Sequence, residues 1–549
     1  AIHNTAGAAA IEKLGLKRAI VARELSVDEI RRIQKGTSIE LELFIHGALC
    51  YCFSGLCLAS SYLGGLSGNR GRCTQVCRRR FSNRSQSGFF FSPRDFSALD
   101  YIGELTDMNI ASFKIEGRMR SAEYVYTVVS AFRKILDTPD QIQQAREMLR
   151  LDFGREKTSF FLQGRQSGDV LTADKPSGTG LFLGTVTGCS DTDVVIDTDE
   201  QLFIGDRIRI HGQAGFEGKA ARIQAVLSTT GSAAKVSLTD TLPAERGDLV
   251  YLVSRKQNRS SSWNQKKVPV SPARFSKQPR VNIGLLKKYE KNRFPSHRKT
   301  ESLVVRIDDT GWLYTLHKDD YHSVQFAATL TDGQKLIHNK HLLNRWRSAL
   351  SVVLPPFISE YDMTKWQKLL KQFSSAGIRR GVASQFGQKQ LFPPGWEVTA
   401  DYTVWTTNRF SQYVLGEAGY QGFSYSPEDD FVNVRACAHS AGMVTVFGYI
   451  PLFVSRIRPA IEPGSQLLDP RREAFFVARR GELFYLLGKK PVGLTHRRTL
   501  LLRAGISIWL IDLSFMPPHK KMIKSILQSC NTAGKIPDTT VFNHKAGLK

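Results

Sequence analysis

Short apolar runs alternate with amphipathic stretches in two parts of the chain, residues 1–177 and residues 300–549. Each apolar run is followed by a glycine-containing turn and a pattern with helical spacing, so both parts are predicted to alternate β-strands with α-helices. Alternation of this kind is typical of parallel sheets, and most simply of a (β/α) barrel. In the second part, strands are predicted at residues 303–307, 352–354, 398–400, 423–425, 444–447 and 506–512.

The two parts also correspond to each other in sequence order. Residues 4–30 align with residues 408–434 without a gap, and both stretches combine a helix, a glycine turn, a short strand and a second helix. Two further pairs of segments correspond, residues 44–47 with 445–448 and residues 113–116 with 509–512. We therefore predict two copies of an α/β fold of the TIM-like barrel type, of which the second is degenerate.

The first copy is shorter than the second. Residues 300–407 have no counterpart ahead of Asn4. If both copies are barrels of ordinary size, about 100 residues are missing on the N-terminal side of the first one. The first barrel is therefore expected to be N-terminally truncated in this chain, with an unpaired sheet edge. A genuinely short N-terminal part is the alternative.

The stretch between the two copies has a different pattern. Residues 178–254 alternate short apolar runs with Gly and Asp turns, which predicts a small antiparallel β-barrel. Residues 255–299 form a basic linker in which Glu290 is the single acidic residue and aromatic residues are interleaved. A solvated linker explains this composition as well as contact with phosphates and stacking on bases does.

The composition of the chain predicts the kind of partner it binds and its location in the cell. The chain is 42% hydrophobic and 10% aromatic, which is typical of globular proteins, and its formal net charge is +26. Such a charge favours binding to nucleic acid over binding to a membrane surface. Residues 1–15 lack the pattern of a secretion signal, and polar residues interrupt the most apolar stretch, residues 43–66. We predict no membrane span and a cytoplasmic location.

Cysteines are concentrated in one short segment. Cys50, Cys57, Cys73 and Cys77 are spaced C-x6-C-x15-C-x3-C, and Cys52 lies inside the run. Four thiolates satisfy either a zinc ion or an iron–sulfur cluster. Zinc usually uses two short C-x2-C knuckles, and only the last pair of this run resembles one. We predict a metal or cluster site on these four residues and a packed, non-ligating thiol at Cys52.

Five motifs around the cysteines occur in a fixed order. They are ELFIHGALC at residues 42–50, SGLC at 54–57, SGNRGRCTQVC at 67–77, SPRD at 92–95 and SFKIEGRMRS at 112–121. Together they resemble peptidase family U32, the collagenase-like family, over residues 1–165. The resemblance implies a 4Fe–4S cluster rather than zinc, and prephenate as a co-substrate. In some members the fourth cysteine lies elsewhere, so Cys77 is the least secure ligand.

Polar residues beside the cysteines are candidates for catalysis and substrate binding. His46 ends a predicted strand, where barrel enzymes collect catalytic groups, although a hydrogen-bonded structural histidine explains it equally well. Lys114 and Glu116 point to one strand face, and Arg118 can hold a carboxylate bidentately. The predicted catalytic residues are His46, Lys114, Glu116 and Arg118, and the predicted substrate-binding residues are Asn69, Arg70 and Arg72.

The resemblance and the charge together favour an RNA-modifying enzyme. Members of the family with long C-terminal extensions hydroxylate C5 of a pyrimidine in ribosomal RNA, and others act on transfer RNA, so we expect that activity in the first barrel. The remaining domains are expected to bind RNA. A collagenase-like peptidase is the alternative, although the sequence shows neither an HExxH motif nor a justified Ser-His-Asp set. A noncatalytic RNA-binding factor is the third hypothesis.

Overall fold

The computed structural model describes residues 2–118, 120–164, 170–173, 180–212, 218–255 and 301–548. Apart from Arg255, the predicted basic linker lies outside these residues. The described chain is a mixed α/β structure with a six-stranded antiparallel barrel and an eight-stranded parallel barrel, both closed. Among the described helices, none has both the length and the apolar character needed to cross a membrane.

Local sequence signals account for the first β/α unit. The Asn4 side chain accepts a hydrogen bond from the Gly7 amide and caps the first helix. Ser26 and Glu29 form a reciprocal capping box at the second helix. The elements of this part are α1 Thr5–Lys13, β1 Arg18–Ile20, α2 Val27–Lys35, β2 Glu40–Ala48, α3 Ala59–Gly64, β3 Phe81–Ser82, β4 Ser87–Gly88, β5 Asp95–Ser97, α4 Ile102–Asp107, β6 Ser112–Ile115, α5 Ala122–Asp137, α6 Ile142–Arg150 and β7 Lys157–Thr158.

Three parallel strands form the centre of this first part. β2 lies between β1 and β6 and pairs with both in parallel. β5 pairs antiparallel with the carboxyl end of β2 and in parallel with β7. Within the described residues this sheet stays open, so the structure shows part of the predicted first barrel rather than a closed one.

The predicted small antiparallel β-barrel is confirmed. Six strands close in the order β10-β11-β12-β9-β8-β13 around a core of Val, Ile, Leu and Ala side chains. Alternate residues are buried in β9, β12 and β13, as the alternating sequence pattern requires, whereas β8 shifts register and buries Leu183 and Val186, three residues apart. The strands are β8 Leu181–Ser190, β9 Asp193–Asp197, β10 Arg207–His211, β11 Ala220–Thr230, β12 Ala233–Leu238 and β13 Leu249–Ser254.

Eight parallel strands close the second β/α part into a barrel. Pairing runs from β14 through β19 in sequence order, continues to β20 and β26, and returns to β14. The eight strands are β14 Ser302–Ile307, β15 Ser323–Ala327, β16 Leu350–Val353, β17 Arg380–Ala383, β18 Glu397–Ala400, β19 Gly422–Ser424, β20 Gly442–Gly448 and β26 Ile508–Asp512. All six strands predicted here are present, and sequence reasoning missed β15 and β17.

Helices surround this barrel, and short antiparallel strands form an insertion after β20. The helices are α7 Trp312–Thr315, α8 Leu330–His338, α9 Lys340–Trp346, α10 Met363–Ser375, α11 Arg409–Glu417, α12 Phe431–Ala436, α13 Arg498–Arg503 and α14 Lys520–Thr532. The inserted strands are β21 Pro451–Ser455, β22 Gln466–Leu468, β23 Ala474–Arg480, β24 Leu483–Gly488 and β25 Val492–Gly493.

The predicted internal correspondence holds in three dimensions. β1, β2 and β6 pair as β19, β20 and β26 do, and both β2 and β20 shift register at matching positions. Gly47 and Gly448 both have positive φ, and a Cβ atom at either position would strike Glu116 or Asp512 respectively, so both positions require glycine. The two parts are therefore built on one strand–bulge–strand plan.

The two β/α parts contact each other through their insertions. β3 pairs with β22, so strands from both parts share one six-stranded sheet. The Phe53 amide donates to the Val454 carbonyl at 2.9 Å. One continuous apolar core includes residues of both parts, which places the segment after β2 against the mouth of the eight-stranded barrel.

Candidate functional site

All four predicted ligand cysteines lie in the segment between β2 and β5, which we call the cysteine segment (residues 49–94). Arg78 closes its base. The buried Arg78 guanidinium donates to the Leu49 carbonyl at 3.1 Å, to the Ser92 hydroxyl at 3.1 Å, and to the Pro93 carbonyl. These acceptors are the two ends of the segment, so one side chain holds both ends together.

The four thiols lie close enough together for their charges to affect one another. The charge environment of Cys77 includes Cys50, Cys57 and Cys73, and that of Cys50 includes Cys57 and Cys73. None of the four is in a disulfide. The Gln75 amide donates to the Cys73 sulfur at 3.3 Å, and burial raises the pKa of the Cys77 thiol to about 12. The structure therefore brings together the residues that the spacing singled out.

Cys52 has a different environment. It is buried, and its sulfur accepts a hydrogen bond from the Val454 amide at 3.3 Å. Its thiol also bonds to the Cys57 sulfur, which lowers the pKa of Cys57. Cys52 is thus a buried, packed thiol, and its predicted non-ligating role stays a prediction.

The predicted ligands are a donor set that two kinds of metal centre use. Within the described residues, no three Cys, His, Asp or Glu side chains form a group that could hold one metal ion. Zinc bound by four thiolates holds its sulfur atoms about 3.8 Å apart, whereas a 4Fe–4S cubane binds four thiolates on separate iron atoms. By their chemistry, four cysteine side chains fit either group.

Basic and acidic side chains border the thiols. Arg23 donates to the Ala48 carbonyl at 2.9 Å, pairs with Glu116 at 3.3 Å, and belongs to the charge environment of Cys50. Arg118 lies against Gly71, where a Cβ atom would come within 2.5 Å of its guanidinium. The predicted residues Glu116 and Arg118 are thus beside the cysteine segment.

The glycine-rich loop residues are on the surface next to Cys73. The Asn69 amide donates to the Cys57 carbonyl at 2.9 Å. Arg70 and Arg72 are exposed, and Arg70 lies in the charge environment of Glu428 and Asp429 of the second part. The loop can therefore offer cations to a polyanion that covers the thiols.

Lys114 lies deeper along the sheet and does not pair with Glu116. Its ammonium contacts the Glu42 carboxylate at 2.9 Å, while Glu116 pairs with Arg23. Lys114 lies in β6, whereas Glu116 follows the last residue of that strand, so their common strand face stays a prediction. Each is balanced by its own partner, and the exposed fraction of the Lys114 side chain is 40%.

His46 is enclosed in the core of the first part. Its Nε2 lies 2.9 Å from Asp152, both side chains are almost fully buried, and the ring packs on Phe132. Burial lowers the pKa of His46. Burial alone would raise the pKa of Asp152, but His46 and Lys157 lower it overall. In this position Asp152 and the surrounding core hold the His46 ring, and the catalytic role predicted for His46 stays a prediction.

Sequence reasoning missed two residues of this site, Arg23 and Arg78. Arg23 follows β1 and corresponds to Pro427 in the second part. The difference between the two copies at this position was the only sign in the sequence that Arg23 has a special role. Arg78 directly follows Cys77 and resembles a surface arginine in sequence, yet it is buried. All three partners of Arg78, namely Leu49, Ser92 and Pro93, are at least 14 residues away in sequence, which explains why spacing did not reveal it.

Comparison with known proteins identifies relatives of the first part. The 23S rRNA 5-hydroxycytidine C2501 synthase of Escherichia coli (strain K12) is 31% identical over 222 residues, 36% of this chain and 34% of that protein. The tRNA hydroxylation protein P1 of Bacillus subtilis (strain 168) is 32% identical over 222 residues, 36% of this chain and 53% of that protein. A collagenase of Porphyromonas gingivalis (strain ATCC BAA-308 / W83) is 34% identical over 138 residues, 22% of this chain and 33% of that protein.

These similarities are partial, since the chain spans a third to about half the length of these relatives. Among solved structures, the Bacillus cereus spore cortex-lytic enzyme SleL matches 45% of this chain and 77% of that chain, with a TM-score of 0.25 and 8% identity. A likeness that weak carries no argument. The model of peptidase family U32 matches residues 1–171, which include the cysteine segment and the strands that bear it. Residues 1–171 therefore form a domain of peptidase family U32.

Proposed function

We propose that this protein is an RNA-modifying enzyme that hydroxylates C5 of a pyrimidine in ribosomal or transfer RNA. The catalytic centre would be a 4Fe–4S cluster on Cys50, Cys57, Cys73 and Cys77. One observation carries the proposal: four free thiols lie in a single segment bordered by arginines, close enough for their charges to affect one another. Relatives named for rRNA and tRNA hydroxylation, and the net charge of +26, support RNA as the substrate.

The protein residues would bind and orient the reactants. A bound 4Fe–4S cluster would supply one-electron chemistry. Arg23 and Arg118 present guanidinium groups on the same side as the thiols, and guanidinium binds carboxylates bidentately. They would hold the carboxylates of the hydroxyl donor, which the family resemblance identifies with prephenate. Glu116 fixes the direction of Arg23 through its 3.3 Å ion pair.

RNA would approach over the glycine-rich loop. Arg70 and Arg72 are exposed beside Cys73 and can pair with phosphates, while Asn69 holds the loop to the Cys57 carbonyl. A pyrimidine in a folded RNA must leave its stack to reach a protein centre, and contacts with the flanking phosphates stabilise that displaced state.

The peptidase hypothesis has weaker support from the site. A relative is named collagenase, but the His46–Asp152 pair is buried, and His46 Nδ1 has no hydrogen-bond partner among the described residues. A serine- or cysteine-type triad requires a nucleophile at that nitrogen.

The test is nucleoside mass spectrometry of ribosomal and transfer RNA from a strain that lacks the gene. A hydroxylated pyrimidine should disappear, return with the wild-type gene, and stay absent with Cys57→Ala. Cys189→Ala, which removes an exposed thiol of the small barrel, is the matched control and should restore the modification. An unchanged nucleoside profile, or zinc without iron and sulfide in the purified protein, would contradict the proposal.

A further inference from the structure

A second cavity opens at the carboxyl end of the eight-stranded barrel. Its volume is about 490 Å³, and residues that follow β14 to β18 and β26 line it. Ligand sites in (β/α) barrels lie at this end, and this volume is within the range of about 300–1,000 Å³ for small-molecule sites. The cavity is separate from the thiols and is not used by the proposed function.

The floor of the cavity is a buried charged network. Arg306 makes a bidentate pair with Asp401 at 2.9 and 3.0 Å, and also donates to Gln325 at 2.8 and 3.0 Å. Asp512 lies 3.7 Å from the same guanidinium. The N–H groups of Arg306 are directed at Asp401 and Gln325. The Asp512 carboxylate can therefore still accept hydrogen bonds from a group in the cavity.

Two polar groups on β26 and its following turn face this space. The Asp512 carboxylate accepts from the Ser514 amide at 2.9 Å, and burial raises the pKa of Asp512. The Ser514 hydroxyl is buried and has no hydrogen-bond partner among the described residues. An unsatisfied buried hydroxyl costs free energy unless a ligand or water bonds to it. These groups together call for a ligand that donates hydrogen bonds.

The walls and the rim have complementary character. Tyr402, Tyr485 and Phe515 present aromatic surface to the cavity, and Tyr485 and Phe515 pack with ring centroids 5.0 Å apart. The first residues of α8 border the cavity, and their amides carry the positive end of the helix. The other charged lining residues are of both signs: the cations Lys365, Arg456 and Arg480, of which Arg480 is 4.0 Å from Asp308, and the acids Asp362 and Glu482. The site thus combines an acidic floor, aromatic walls, a helix N-terminus and a rim of mixed charge.

We infer that this cavity binds a guanine nucleotide, with the base against Asp512 and the phosphate at the start of α8. Guanine presents a ring N–H and an exocyclic amino group side by side, which matches the two oxygens of a carboxylate. The ring fits between aromatic walls, and phosphate is suited to a helix N-terminus beside Arg480. A guanidinium ligand fits less well, because Arg306 is a buried cation 3.7 Å from Asp512.

The inference is tested by calorimetric titration of the full chain with GMP and, separately, with inosine 5′-monophosphate. The two nucleotides differ only in the exocyclic amino group, so GMP should bind about tenfold more tightly. Asp512→Ala should reduce GMP affinity to that of inosine monophosphate. Ser514→Ala should lower the affinity for GMP severalfold. Because it is a smaller change, it keeps the test valid if Asp512→Ala misfolds. Asp319→Ala removes an exposed carboxylate outside the cavity and should bind GMP as the wild type does.

Equal affinity for the two nucleotides, or no saturable binding of either, would overturn the inference. Wild-type GMP affinity in both Asp512→Ala and Ser514→Ala would do so as well. Saturable binding of arginine in place of GMP would assign the cavity to a cationic ligand instead. None of these results depends on RNA hydroxylation, because the cavity and the cysteine segment are read out by different assays.

Discussion

Replacement of Arg78 by methionine should loosen the cysteine segment while leaving the rest of the protein folded. Methionine keeps most of the side-chain volume but removes the guanidinium that binds Leu49, Ser92 and Pro93. The two carbonyl groups would then be buried without their donor. Asp95 would keep its pairs with Arg155 at 3.1 Å and Arg120 at 3.3 Å.

The expected cost can be estimated from these contacts. Hydrogen bonds to charged groups contribute about 1.5–3 kcal/mol each, and removal of one partner of a buried ionic network costs about 3–5 kcal/mol. Relief of the desolvation of Arg78 offsets part of this, so we expect about 3 kcal/mol. Local opening of the segment should then be about a hundredfold more frequent.

Hydrogen–deuterium exchange with peptide resolution measures this opening directly. Peptides from residues 50–94 should exchange about a hundredfold faster in Arg78→Met, while peptides of the eight-stranded barrel keep their protection. Arg80→Met is the matched control, since Arg80 is exposed. Unchanged exchange of residues 50–94 in Arg78→Met, or an equal increase in the control, would refute the idea that Arg78 closes the segment.

Three further predictions address stability. Gly47→Ala should lower the free energy of unfolding in denaturant by about 1–3 kcal/mol, since φ is +120° and the new Cβ would lie 2.6 Å from that of Glu116. Gly15→Ala is the control: φ is +79° and the space around it is open, so this variant measures the backbone contribution alone. His46→Phe, which introduces the residue found at the equivalent position Phe447, should lower the free energy of unfolding by about 1–3 kcal/mol because the hydrogen bond to Asp152 is lost. RNA modification should persist in this variant; its loss without a loss of stability would make His46 catalytic. Burial raises the pKa of Asp429 to about 6, so its protonated form favours folding and stability should fall as pH rises from about 4 to 6; Asp429→Asn should flatten this slope in urea titrations, and an unchanged slope would contradict the assignment.

The sequence by itself determined the alternation of strands and helices, six of the eight barrel strands of the second part, and the internal repeat. Apolar runs at the strands of the second part and alternation in the small barrel reflect burial, which any fold of this chain must satisfy. The cysteine spacing singled out Cys50, Cys57, Cys73 and Cys77 because clustering of thiols in one segment is itself a local signal. β15 and β17 were missed, because residues such as Ser323, Gln325 and Arg380 interrupt their apolar pattern.

Tertiary structure alone decided which charges meet. Arg78 joins Leu49 to Pro93, Arg23 reaches Glu116, and Lys114 pairs with Glu42, although none of these pairs is near in sequence. The cavity on Asp512 and Ser514 arises because six strand ends converge only when the barrel closes. Burial patterns repeat along a chain and can be read locally, whereas ion pairs depend on distances that exist only after the strands have paired.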